Sequence, residues 1–152
     1  MDIRPDDLTH PAIHALLDEH LASMRAQSPP GSVHALDLTA LRHPAISFWS
    51  AWEGDALIGC GALREIDPGQ GEIKSMRTPA ALRRRGAGKA LLQHILAEAR
   101  QRGYTRVSLE TGMQDSFAAA HALYLGAGFT DCGPFGDYQP DPHSRFLTLQ
   151  LD

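Results

Sequence analysis

The stretch from Glu72 to Thr111 constrains the fold of this chain most. Glu72 to Thr78 is a β-rich run that Pro79 ends, and a cationic glycine turn follows. Gly86 to Arg102 then sets Leu91, Leu92, Ile95, Leu96 and Ala99 on one helical stripe that Gly103 stops, and Arg106 to Thr111 is β-rich again. A strand, a strong amphipathic helix and a second strand in this order form a crossover, the unit that places two strands of one sheet in parallel.

The flanking segments make the sheet mixed. Ile46 to Trp52 and Ala56 to Leu63 are β-rich runs joined by Glu53-Gly54-Asp55, a hairpin signal that predicts two antiparallel strands. Ser144 to Leu151 reads as a closing strand and Phe117 to Leu125 as a helix ending near Gly126 and Gly128. Before the hairpin, Ile13, Leu16, Leu17, Leu21 and Met24 recur at helical spacing from Pro11 to Arg25, with Thr9 the expected cap. Ser28-Pro29-Pro30-Gly31-Ser32 breaks that helix, and Asp37 to Leu41 reads as one short helical turn. The expected class is α/β (α+β), a single domain over residues 1–152 with a central mixed, mostly antiparallel sheet flanked by helices.

Composition supports one packed core and limits the partners. The chain of 152 residues is 43% apolar and 21% charged, a balance that can fold around a hydrophobic interior. Fourteen basic against eighteen acidic residues give a formal charge of −4, which argues against a surface built to coat nucleic acid or anionic lipid. Cys60 and Cys132 have no CxxC spacing, and no run of apolar residues is long enough for a membrane span, so a reduced, cytoplasmic setting is expected. His10 and His14 stand four apart at a helix start without an HExxH or Cys/His cluster, so they read as surface or capping residues and no metal site is expected.

Against this acidic background, Lys74, Arg77, Arg83, Arg84, Arg85 and Lys89 fall within sixteen positions that contain no acidic residue. The cluster sits where a strand turns through Gly86-Ala87-Gly88 into the strong helix, so backbone N–H groups and the positive helix end converge on one place. A phosphate is the natural guest. A P-loop is disfavoured, because Arg83 and Ala90 stand where its first glycine and its Ser/Thr belong; a GxGxxG loop is disfavoured because Leu91 takes the third glycine position. No aromatic residue is interleaved with the cations, so single-stranded nucleic acid is disfavoured and a small polyphosphate ligand leads. A solvated basic turn that merely caps the helix is the bland alternative.

Arg83-Arg84-Arg85-Gly86-Ala87-Gly88 resembles the [QR]-x-x-G-x-[GA] loop of the GNAT acetyltransferase superfamily, and Leu123-Tyr124-Leu125-Gly126-Ala127-Gly128-Phe129 resembles its downstream LYxxxGF segment. The resemblance spans roughly Ala56 to Leu151. It implies the GNAT acyl-CoA N-acyltransferase fold, acetyl-CoA as acyl donor and an amine as acceptor. Residues Arg84 to Lys89 would wrap the CoA pyrophosphate, with the strand around Met76 and Thr78 splaying from the strand around Leu109 to admit pantetheine. The implied cofactor-binding set is Met76, Arg77, Thr78, Arg83, Arg84, Arg85, Gly86, Ala87, Gly88, Lys89, Thr111, Phe117 and Tyr124.

The resemblance also implies roles. The Met76 N–H would face the thioester oxygen, and Tyr124 would protonate the departing thiolate, the alternative being an aromatic packed in the core. Glu72 would act as general base through water, or else stand as a solvated strand residue. Where many members place an asparagine to hold pantetheine, Glu110-Thr111-Gly112 stand here, with Asp115 and Ser116 as substitutes. The acceptor pocket would form from residues 20–34 and 135–144, with Phe135 and Tyr138 making it partly aromatic or simply packing a hairpin tip. The expected activity is acetyl transfer to a small-molecule primary amine by direct attack in a ternary complex; peptide acetylation and a non-catalytic CoA sensor are the alternatives. No nucleic-acid or membrane partner is expected, and the resemblance allows a homodimer.

Overall fold

The structure, a computed structural model, describes residues 1–79 and 86–152. Its frame is a seven-stranded sheet in the order β1-β2-β3-β4-β5-β7-β6, with β1 Asp2–Pro5, β2 Ile46–Glu53, β3 Ala56–Asp67, β4 Gln70–Arg77, β5 Arg106–Gly112, β6 Thr130–Asp131 and β7 Ser144–Gln150. Every neighbouring pair is antiparallel except β4 and β5, which the crossover places in parallel. The expected class and the central crossover are as observed.

Four helices cover the sheet: α1 Pro11–Gln27, α2 Leu38–Leu41, α3 Ala87–Gln101 and α4 Ala118–Gly126. One face carries α3 and α4, where Leu91, Leu92, Ile95 and Ala99 of α3 meet Leu63, Ile73, Val107 and Leu109 of the sheet. On the other, α1 buries Ile13, Leu16 and Leu17 against Phe48, Trp52, Cys60 and Ala62. Both cores follow from the apolar stripe of each helix and the period-two alternation of the strands.

Several boundaries differ from the sequence expectation. The cap of α1 is His10, not Thr9: His10 Nδ1 accepts from the Ala12 N–H at 3.0 Å, while the Thr9 hydroxyl donates to Asp7 at 2.6 Å. β3 runs to Asp67, past the expected Leu63, because backbone pairing with both β2 and β4 holds its charged end extended. Strands β1 and β6 carried no sequence signal, being four and two residues long and mostly exposed. Phe117 closes a 3₁₀ turn over Asp115–Phe117, and α4 starts one residue later.

Two irregularities shape the middle of the sheet. Ladder pairing between β4 and β5 stops at Glu72↔Ser108, so the two strands part beyond that point and one edge of β4 is left without a strand partner from Ile73 onward. On its other edge, Cys60↔Arg77 and Ala62↔Lys74 leave Ser75 and Met76 opposite Gly61 alone, a bulge in which Ser75 takes φ +54°. At Gly61 a Cβ would stand 2.5 Å from Met76 Sδ and 2.9 Å from Ile95 Cδ1, so those side chains would have to shift to admit one.

Candidate active site

The gap between β4 and β5 opens into a cleft of about 640 Å³. It is lined by Met76, Arg77 and Thr78 of β4 and the residues after it, by Gly86, Ala87, Gly88 and Lys89 at the start of α3, and by Thr111, Phe117 and Tyr124. Glu72 lines it too. The described residues expected to carry catalysis and cofactor binding therefore share one cavity, although they come from β4, α3, β5, the 3₁₀ turn and α4. Arg83, Arg84 and Arg85 lie outside the described residues.

One side of the cleft is dominated by backbone. Gly86 is the N-cap of α3 with φ +78°, a conformation that favours glycine, and among the described residues no side chain caps the helix. The first amides of α3 thus face the cleft with the positive end of the helix behind them. Tyr124 projects from α4 and is 6% exposed, its ring edge-on to Phe129 at 5.7 Å. Burial alone pushes its phenol well above the usual tyrosine range, so it holds its proton at neutral pH. Ser116 lines the cleft and its hydroxyl is bonded to the Gln27 side chain, whereas Asp115 is exposed and does not line it.

The other side is built of charged and polar side chains. Glu72 is 1% exposed, which corrects the alternative of a solvated strand residue. The Tyr138 hydroxyl donates to Glu72 Oε2 at 2.5 Å, Lys74 Nζ reaches the same oxygen at 3.3 Å, and Arg64 approaches Oε1 at 3.5 Å. Lys74 also donates to the Tyr138 hydroxyl at 2.9 Å, which closes a three-residue ring of contacts. Burial, then the Glu72 charge, pushes the Tyr138 phenol far upward, so it stays a donor. Tyr138 packs edge-on to His34, Phe135 and Phe146 at 5.0, 5.1 and 5.4 Å; the expected acceptor segment 135–144 thus packs behind Glu72 and does not line the cleft, whereas residues of 20–34 do.

Three residues of this side carried no catalytic expectation. His20 occupies the stripe position seven after Ile13 on α1, where it is 8% exposed and lines the cleft. Burial, then the Arg77 cation, hold its imidazole down to about 4, and Glu19 opposes them. Glu110, noted only as a departure from the asparagine pattern, lines the cleft from β5. Burial raises its carboxyl above the usual carboxylate range, against the pull of Ser144, His34 and Lys74. Lys74 is a partner of Glu72 and not a member of a phosphate cluster. The period-two spacing of Glu72 with Lys74, and of Ser108 with Glu110, is the signal that sets them on one face.

Two sets of contacts tie α1 and the segment after it to neighbouring loops beside the cleft. The Ser32 hydroxyl donates to Asp141 Oδ2 at 2.6 Å, tying the segment after α1 to the loop before β7. Gln114 Nε2 donates to the Gln27 carbonyl at 2.6 Å, and the Ser116 hydroxyl bonds the Gln27 side chain, tying the end of α1 to the segment after β5.

Comparison with known proteins places these features in a family. The model of the acetyltransferase (GNAT) family matches residues 13–129. The chain is 55% identical over 149 residues to the uncharacterised N-acetyltransferase YedL of Escherichia coli (strain K12), covering 98% of this chain and 94% of that protein. It is 56% identical over 151 residues to the uncharacterised N-acetyltransferase YsnE of Bacillus subtilis (strain 168), covering 99% and 100%. A GNAT-family acetyltransferase from Elizabethkingia anophelis, crystallised with acetyl-CoA bound, superposes with a TM-score of 0.67 at 21% identity over 99% of this chain and 97% of that one.

Proposed function

We propose, from the premise that this chain belongs to the GNAT acetyltransferase family and is an acetyl-CoA-dependent N-acetyltransferase, that its acceptor is a small primary amine attacked directly in a ternary complex. Two ties beside the cleft carry this reading. A polypeptide acceptor needs a long open groove, whereas cleft-lining Ser32 and Gln27 are bonded to Asp141 of the loop before β7 and to Gln114 after β5. The polar lining, with Glu72, Glu110 and Ser23 among it, suits a hydrophilic ammonium compound.

The donor side fits acetyl-CoA on its own chemistry. Uncapped amides at Gly86 to Lys89 offer hydrogen bonds to a pyrophosphate, and the unpaired edge of β4 offers them to an amide-bearing pantetheine arm. In this assignment Arg77, Thr78, Thr111 and Phe117 line the arm's path, and Arg83, Arg84 and Arg85 add positive charge beside the pyrophosphate. The Met76 N–H polarises the thioester carbonyl, a donor whose contribution grows as charge develops on oxygen. Tyr124 protonates the leaving sulfur, as a phenol kept neutral by burial is equipped to do. Tertiary pairing of Glu72 with Lys74 fixes the charge beside the acceptor nitrogen.

The test is release of free thiol from acetyl-CoA with a panel of amino acids, polyamines, aminoglycosides and short peptides. Turnover with small amines and none with peptides is expected. Faster turnover with peptides would overturn the small-molecule assignment, and CoA binding without turnover across the panel would favour a sensor.

A further inference from the structure

The acceptor compartment holds two carboxylates, and their surroundings differ. Glu72 has Oε2 engaged by Tyr138 at 2.5 Å and by Lys74 at 3.3 Å, and Oε1 faces Arg64 at 3.5 Å. Both Glu72 oxygens are therefore already engaged by protein side chains, and the residue is 1% exposed.

Glu110 stands two residues beyond Ser108, the partner of Glu72 in the last rung between β4 and β5. It shares the sheet face of Glu72 but lies past the point where the strands part, so its carboxylate borders the cleft where the acceptor nitrogen must approach the thioester. The groups around it are Ser144 of β7, His34 of the segment after α1, and Lys74 and Glu72 of β4. It is half-buried, and its proton affinity is raised by that burial against the pull of Ser144, His34 and Lys74. A base that must strip an alkylammonium near neutral pH needs both access to the nitrogen and a raised affinity for the proton.

We propose that Glu110 is the carboxylate that receives the acceptor ammonium and takes its proton, with Glu72, Lys74 and Tyr138 as a fixed positioning triad behind it. This rests on the acetyl-transfer reading above and moves the base from Glu72, where the family resemblance put it, to β5. Glu110 takes one proton from the ammonium, and the freed lone pair forms the C–N bond. The C–S bond breaks, sulfur leaving with the electron pair and taking the Tyr124 proton. The second nitrogen proton returns through water to Tyr124, and Glu110 gives its own to solvent.

The experiment uses the full chain labelled with δ-¹³C glutamate, saturated with CoA, and ethylammonium as the probe. The carboxyl signal that disappears in both Glu110→Gln and Glu110→Asp is expected to move as ethylammonium is added. No movement of that signal, or movement of another glutamate alone, would overturn the proposal; this readout needs no turnover. With acetyl-CoA and ethylamine, Glu110→Gln should lower kcat/KM by at least 100-fold at pH 7 with the KM for acetyl-CoA unchanged, the deficit shrinking as rising pH supplies free amine. Glu110→Asp should recover part of the loss. An unchanged rate and pH profile in Glu110→Gln would also overturn it. Failure of the unmodified protein to bind CoA in calorimetry would strike the acetyl-transfer reading instead.

Discussion

The two walls of the cleft are made of different material. The wall proposed for the donor is mostly backbone: the bulged edge of β4, the left-handed Gly86 and the first amides of α3, with Arg77, Lys89 and Tyr124 as titratable side chains among the described residues. The wall proposed for the acceptor is side chains from three elements, His20 on α1, Glu72 and Lys74 on β4 and Glu110 on β5, with Tyr138 bonded behind Glu72. A backbone wall binds what every relative must bind, and tolerates change in side chains that do not alter its path. A side-chain wall can be rewritten without disturbing the sheet, which is where acceptor choice belongs.

The largest expected effect breaks the donor wall while sparing the acceptor wall. Gly86→Glu introduces a side chain at φ +78° and a negative charge beside the pyrophosphate site, so CoA affinity by calorimetry should fall at least 100-fold, about 2.7 kcal/mol. Retained affinity, with thermal unfolding unchanged, would mean that the start of α3 is not the pyrophosphate site.

Acid should damage the acceptor wall first. His20 holds its proton only below about 4 when folded, against 6.5 when unfolded, so between those values the unfolded chain carries the extra proton. Its contribution to stability is therefore complete above pH 6.5 and is lost as pH falls toward 4, about 2 kcal/mol by pH 5. Urea unfolding of the protein and of His20→Gln at pH 7 and pH 5 measures it: the variant should lose less on acidification, and parallel losses would remove His20 as the cause.

The smallest effect sharpens the contrast inside the donor wall. Tyr124→Phe leaves the backbone cradle intact, so turnover should drop at least tenfold while acetyl-CoA affinity barely changes. Equal turnover would make Tyr124 a core aromatic set against Phe129.

How much was legible differs along the chain. The crossover, its helix and the glycine turn could be read because their signals are local: a 3.6-residue stripe, a glycine before it and a proline after the strand. Short edge strands such as β6 could not, since two exposed residues carry no periodicity and owe their conformation to pairing with β7. Tyr124, Met76 and Gly86 were legible as candidates through the segments that hold them. His20 was legible only as the start of the expected acceptor pocket, residues 20–34, because no local pattern places Arg77 and the cleft beside it.

Sequence alone determined the longer elements and the glycine turn before α3, because helix stripes, strand alternation and a glycine-bearing turn act over a few residues. Tertiary structure decided the acceptor wall. Glu72 and Tyr138 lie 66 positions apart, and Ser32 and Asp141 lie 109 apart. Whether such side chains meet depends on where β4 and β5 part and how the loops return over the gap, and no short-range pattern encodes that distance.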